Sequence, residues 1–205
     1  MSAFRRVLFW TALAVSLPAL AADWVLALSW APGFCATHAG KQQCRVVDDF
    51  ASHHLTLHGL WPRQQNCHAP PLHQGDLPAD LAHWMPGVQD GLAQHEWQKH
   101  GSCSGMLPHA YFSQMVQMAE QVSRSSLGRY LAQHAGQRVT LTDLRAALRP
   151  DYAAASTSVR FLCSGERLQE VRFHFSDWSG LLGHGASPGW RPAMENDHCD
   201  DSVLL

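Results

Sequence analysis

The chain has 205 residues, 46% of them apolar and 16% charged, which suits one ordinary domain and excludes a disordered tail or a coiled coil. Its formal charge of −2 with histidine neutral excludes a strongly basic protein that coats nucleic acid. Histidine (14), tryptophan (8) and cysteine (6) are abundant, whereas Lys41 and Lys99 are the only lysines.

At the N-terminus, Arg5 and Arg6 precede an apolar run from Val7 to Leu17, which ends at Pro18 and the small-residue site Ala19-Leu20-Ala21. This is the layout of a secretory signal peptide over residues 1–21, and the run is too short for a membrane anchor. Residues 22–205 are then the mature domain, with 13 Lys and Arg against 17 Asp and Glu. All 14 histidines lie beyond the cut, so the mature chain turns from anionic to cationic as they protonate around pH ~6.5. An anionic substrate would bind better at mildly acidic pH.

Six cysteines in an exported chain read as disulfides, and the expected location is the periplasm or the medium. Spacing alone leaves all 15 pairings open. No Cys-x-x-Cys is present, which argues against a dithiol oxidoreductase or a structural zinc site. No association motif is evident, so a monomer is expected.

Within the mature chain, Trp24–Trp30 reads as a buried strand, and residues 31–43 as a disulfide-stapled loop. His54–His58 alternates, with Leu55 and Leu57 on one side and His54, Thr56 and His58 on the other, as in a half-buried strand. Gly59–Gly75 reads as loop, and Pro78–Met85 as a short helix stopped by Pro86-Gly87. Gly91–His100 reads as a helix with Gly101 just past its end. Tyr111–Val122 carries apolar residues at helical spacing. Leu127–His134 and Asp143–Leu148 are further helices, the second with Thr142 as its cap. Leu168–Phe175 is a strand with Val171, Phe173 and Phe175 on one face and Arg172 and His174 on the other. Trp24 and Trp178 read as core. Strands and helices mix without a βαβ rhythm. The expected fold is therefore α+β: one domain, a central and mainly antiparallel sheet packed by several helices, stapled by disulfides.

His95-Glu96-Trp97-Gln98-Lys99-His100 carries the densest chemistry. At 100° per residue, His95, Lys99, Glu96 and His100 fall at about 0°, 40°, 100° and 140°, one arc of a helix, with Trp97 behind. Zinc-protease helices place two His four apart on one face. Here they are five apart, with a Lys cation between them, so no metal is expected. A second segment, His58-Gly59-Leu60-Trp61-Pro62, closes the predicted strand. An imidazole at a strand end and a helix face of His, Glu, Lys and His together supply the groups for acid–base cleavage of a phosphodiester.

These two segments, Thr56-Leu57-His58-Gly59-Leu60-Trp61-Pro62 and His95-Glu96-Trp97-Gln98-Lys99-His100-Gly101, resemble the paired active-site signatures of the ribonuclease T2 family. The opening WVLALSWAPGFC adds to the likeness, and Met85-Pro86-Gly87 with Gly91-Leu92 resembles its bacterial periplasmic branch. The resemblance implies an endoribonuclease that cleaves RNA through 2′,3′-cyclic phosphates with little base specificity, needs no cofactor and leaves DNA uncut. It implies His100 as general base and His58 as general acid, roles that sequence leaves exchangeable. Lys99 and Glu96 would stabilise the phosphorane, His95 would bind phosphate, and Trp61 would stack a base. Glu96 is expected to raise the pKa values of the two neighbouring His. A Cys67–Cys103 disulfide is implied, with Cys35–Cys44 and Cys163–Cys199 as the remaining pairs. No signature residue is missing, so a working enzyme is expected rather than a binding homologue.

Overall fold

A computed structural model describes residues 23–45, 47–177 and 189–205; the signal-peptide reading and Trp178 lie outside them. The chain enters as β1 (Trp24–Ser29), whose Leu26 and Leu28 point into the core. A helix follows, α1 (Ala31–Thr37), where the sequence reads as loop. Pro32 starts that helix rather than breaking it, as proline does in a first turn. Gly33 lets the helix lie against β5 (Arg167–Phe175), since a Cβ there would fall 1.7 Å from the carbonyl oxygen of Leu168.

Next come α2 (Asp49–His53), capped by Asp48, and β2 (Thr56–Pro62). His54 caps the end of α2 and stacks on Phe50, so it does not belong to the strand. The strand instead runs on through Gly59–Pro62, which the sequence reads as loop. β1 and β2 pair antiparallel, and the partners step from Ala27↔Gly59 to Leu28↔Leu57, leaving His58 as the extra residue of a β-bulge. The bulge re-phases the strand. Leu57 and Leu60, three apart, both enter the core, while Gly59 and Trp61 share the opposite face.

After a short α3 (Leu81–Trp84) comes α4 (Leu92–Lys99), which ends on His100. Gly101 follows without a left-handed turn. Its Cβ would lie 2.4 Å from the Trp97 ring, so close packing requires the glycine. The long α5 (Pro108–Arg124) buries Tyr111, Phe112, Met115, Met118 and Val122 against the sheet, and the Tyr111 hydroxyl donates to Leu60 O at 2.7 Å. α6 (Ser126–Gln133) and β3 (Arg138–Thr140) lead to α7 (Leu141–Tyr152). The cap of α7 is Thr140 rather than Thr142. Thr140 Oγ1 accepts from Asp143 N at 3.0 Å and Asp143 accepts from Thr140 N at 3.2 Å, a reciprocal box that starts the helix two residues early.

β4 (Val159–Ser164), β5 and β6 (Ser202–Leu204) complete a six-stranded sheet in the order β2-β1-β5-β6-β3, with β4 also paired to β5. All pairings are antiparallel except β5 with β6. Three disulfides, Cys35–Cys44, Cys67–Cys103 and Cys163–Cys199, fasten this single α+β domain. Among the described residues no helix is long and apolar enough to cross a membrane.

Candidate active site

One face of the sheet carries core leucines; the other carries His58 and Trp61 from β2 and Glu170 and Arg172 from β5. α4 lies beside it. Asn66 N donates to Lys99 O at 2.7 Å, Trp97 Nε1 donates to Pro70 O at 3.0 Å, and the Cys67–Cys103 disulfide joins the loop after β2 to the turn after α4. These three links hold the end of α4 against β2.

The helical arc brings its residues together at different depths. Glu96 is buried, accepts from Trp61 Nε1 at 2.8 Å, and presents its other oxygen 3.8 Å from His58 Nε2. A Cβ on Gly59 would lie 1.9 Å from Glu96 Oε2 and 2.3 Å from Trp61 Nε1, so glycine is what lets carboxylate and indole meet over the strand. His100 is also buried, and its ring lies 5.3 Å from that of Trp61, nearly parallel. His58 meets the same indole edge-on at 5.1 Å. Trp61 therefore touches both imidazoles, and the Arg172 guanidinium lies 5.1 Å from its ring centroid. His95 is exposed and Lys99 half-buried. His58 and His95 border a hollow of about 360 Å³ that also takes in Phe34, Gln43 and Lys41. Lys41 lines the hollow, and Lys99 lies close enough to His95 and His100 for its charge to act on both.

The two imidazoles move in opposite directions. Burial pulls His58 down, but the hydrogen bond and charge of Glu170, with the charge of Glu96, outweigh it and hold His58 above the ordinary histidine value. Burial, then the charges of Lys99, His95 and His58, lower His100 to about 4. The expectation that Glu96 raises both is thus corrected for His100, which faces cations and a desolvating indole instead. Burial raises Glu96 itself to about 7, against the pull of His58, Trp61 and Lys99. Burial first, then Lys99 and His58, lower His95. Among the described residues no group bonds His100 Nδ1, a buried nitrogen left free. No group of three or more His, Cys, Asp or Glu side chains among them is placed to hold a metal ion.

Sequence reasoning missed Glu170, whose Oε2 lies 2.6 Å from His58 Nδ1. A glutamate on the polar face of an alternating strand reads as solvent-facing, and 112 residues separate the pair. Lys41 lines the hollow from a stretch that reads as a disulfide-stapled loop.

An imidazole on a strand and another at the end of a helix thus meet one indole beside Lys99 and Glu96, with pKa shifts of opposite direction, on an α+β frame. Residues 23–181 match the model of the ribonuclease T2 family, and the chain belongs to that family. It is a T2-type endoribonuclease, an enzyme that cleaves RNA. Ribonuclease I of Escherichia coli (strain K12) is 27% identical, with 69% of each chain covered. A probable ribonuclease of Haemophilus influenzae is 30% identical over 71% of this chain and 58% of that protein. The structure of ribonuclease MC1 from bitter gourd seeds shares the fold, with a TM-score of 0.62 at 18% identity over 90% of this chain and 100% of that one.

Proposed function

We propose that the chain is an exported, metal-independent endoribonuclease that uses the RNA 2′-hydroxyl as its nucleophile. The observation that carries this reading is the placing of His58 and His100 against one indole beside the buried Glu96, with their pKa values shifted in opposite directions. His100 is neutral above pH about 4 and takes the 2′-OH proton. The 2′-oxygen then attacks phosphorus. His58, whose charged form the Glu170 carboxylate favours, gives its proton to the departing 5′-oxygen as the P–O5′ bond breaks. The products are a 2′,3′-cyclic phosphate and a 5′-hydroxyl; hydrolysis of the ring reverses the two roles. Lys99 stabilises the charge that builds on the phosphorane, and Glu96, protonated below about 7, donates to a phosphoryl oxygen. His95, at the edge of the hollow, binds phosphate. Trp61 offers its indole to a base, a contact that tolerates every base and is worth about 1–3 kcal/mol.

Export draws support from the N-terminal layout and from the six cysteines, all paired in disulfides. The periplasm or the medium is the expected location, with residues 1–21 removed, and the mature enzyme works as a monomer without membrane attachment. Incubating the purified mature protein with a defined RNA oligomer in excess EDTA tests the chemistry. The expected products end in 2′,3′-cyclic phosphate, and a 2′-deoxy substitution blocks cleavage at that position. Loss of cleavage in EDTA, or cutting of DNA, would contradict it.

A further inference from the structure

The shortest polar contact made by either active-site imidazole lies outside both sequence signatures. His58 Nδ1 and Glu170 Oε2 are 2.6 Å apart, and the Glu170 side chain is only 12% exposed. Glu170 shares the polar face of β5 with Arg172 and His174 by plain alternation, and a second bulge lies just before it. On β5 the partners step from Leu162↔Glu170 to Cys163↔Leu168, leaving Gln169 extra. Leu168 and Val171 then both enter the core while Glu170 stays on the face of His58.

A carboxylate so deeply placed needs partners. Glu170 has a second one in Arg172 Nε, and the two cations outweigh burial to hold its carboxyl below the usual range. Arg172 Nη1 goes on to Glu195 Oε2 at 2.8 Å, and Glu195 Oε1 lies 3.3 Å from His174 Nε2. Glu195 sits on a C-terminal segment fastened by Arg160 Nε to Glu195 O at 2.6 Å, by Phe161 N to Asp197 at 2.9 Å and by the Cys163–Cys199 disulfide. Alternating charges therefore run from the active site to an anchored segment far along the chain.

We propose that Glu170 is the positioning residue of His58, and that Arg172, braced by Glu195, keeps the Glu170 carboxylate aligned on Nδ1. A carboxylate on Nδ1 fixes the proton there and leaves Nε2 to serve the substrate. Nε2 is also the nitrogen that faces the Glu96 side of the site. The inference rests on the reading of His58 as the acid for the leaving oxygen.

The test compares two substrates in the full mature enzyme. A dinucleoside phosphate expels an alkoxide and needs the acid; uridine 3′-(4-nitrophenyl phosphate) expels a phenolate that leaves without one. Glu170→Gln should lower kcat on the dinucleoside phosphate by about 10–100-fold, part of the 10²–10⁴ that a whole acid supplies. KM should hold, the aryl ester should be cut at nearly the parental rate, and Glu170→Asp should restore part of the loss. The alkaline limb of kcat/KM should also move to lower pH in Glu170→Gln. The groups that remain around His58 are Glu96, His95 and His100 from α4 and Arg172 from β5, and only Glu96 among them still raises its pKa. Glu195→Gln, at the far end of the chain of charges, should give the same substrate pattern at smaller size.

Equal loss on both substrates, or no loss on either, would overturn the role of Glu170, and circular dichroism on each variant identifies a loss due to unfolding. His58→Ala separates the two levels of the argument. If it too loses equally on both substrates, His58 is not the acid and the underlying reading fails; if it spares the aryl ester while Glu170→Gln does not, only the present inference fails.

Discussion

Replacing Gly59 by alanine puts a methyl group where the active site has no room for one. Its Cβ would lie 1.9 Å from Glu96 Oε2, 2.7 Å from Glu96 Cδ and 2.3 Å from Trp61 Nε1. Glu96 cannot retreat easily, because it is buried and tied to Trp61 at 2.8 Å, and Gly59 is itself paired with Ala27 in the sheet. Breaking a hydrogen bond to a carboxylate costs about 1.5–3 kcal/mol, and overpacking adds about 1–3 kcal/mol. The sum, about 2.5–6 kcal/mol, is smaller than the stability of an ordinary domain over most of the ~5–15 kcal/mol range, so the variant should still fold. At roughly 2–4 °C per kcal/mol for a chain of this size, Tm should drop by about 5–24 °C. Displacement of Glu96 and Trp61 by about 1 Å should lower kcat by about 100-fold. Calorimetry and steady-state cleavage of a dinucleoside phosphate measure both effects, with Gly75→Ala as control, since a Cβ there meets nothing within 4 Å. A Gly59→Ala protein with Tm within 2 °C of the parent and kcat within twofold, where ~2 °C is under 1 kcal/mol, would refute the claimed close approach.

His100→Ala and His58→Ala should each lower kcat by about 10²–10⁴-fold on a dinucleoside phosphate, with KM little changed. The pH profile of kcat/KM should be a bell: activity rises as His100 loses its proton near pH 4 and falls as His58 loses its own above the ordinary histidine value of about 6.5. Stability should carry the same signs. A lowered His100 weakens the fold as pH drops from about 6.5 towards 4, so His100→Gln should flatten that part of a Tm-against-pH curve. Removing the Cys67–Cys103 bridge by a double serine variant releases a separation of 36 residues, worth about 4 kcal/mol, and urea unfolding should show it; a change below ~1 kcal/mol would contradict that loop-closure estimate.

The core elements were legible where one periodicity dominates. Val171, Phe173 and Phe175 alternate on β5, and Phe112, Met115, Val116, Ala119 and Val122 stripe α5. The gathering of the candidate site was legible in the two signatures because four ionisable residues crowd one helical arc. The bulge at His58 was not legible: Leu57 and Leu60 at a spacing of three look like the end of a strand, and only pairing with Leu28 and Leu26 reveals the inserted residue. β3 and β6, three residues each, are too short for any period to show. Glu170 escaped because its partner is distant in sequence and the polar face of β5, which alternation assigns to solvent, is covered here by His58 and Arg172. The protonation of His100 escaped because burial and neighbouring cations, rather than the adjacent Glu96, decide it.

The central claim is that one imidazole is held charged and the other neutral around a shared indole. Nitrogen-detected NMR titration of the histidine side chains, assigned with His58→Ala and His100→Ala, reads this directly. The account predicts that His100 titrates near 4 and that His58 keeps its proton above about 6.5. Two imidazoles titrating together near 6.5, or in the reverse order, would contradict it.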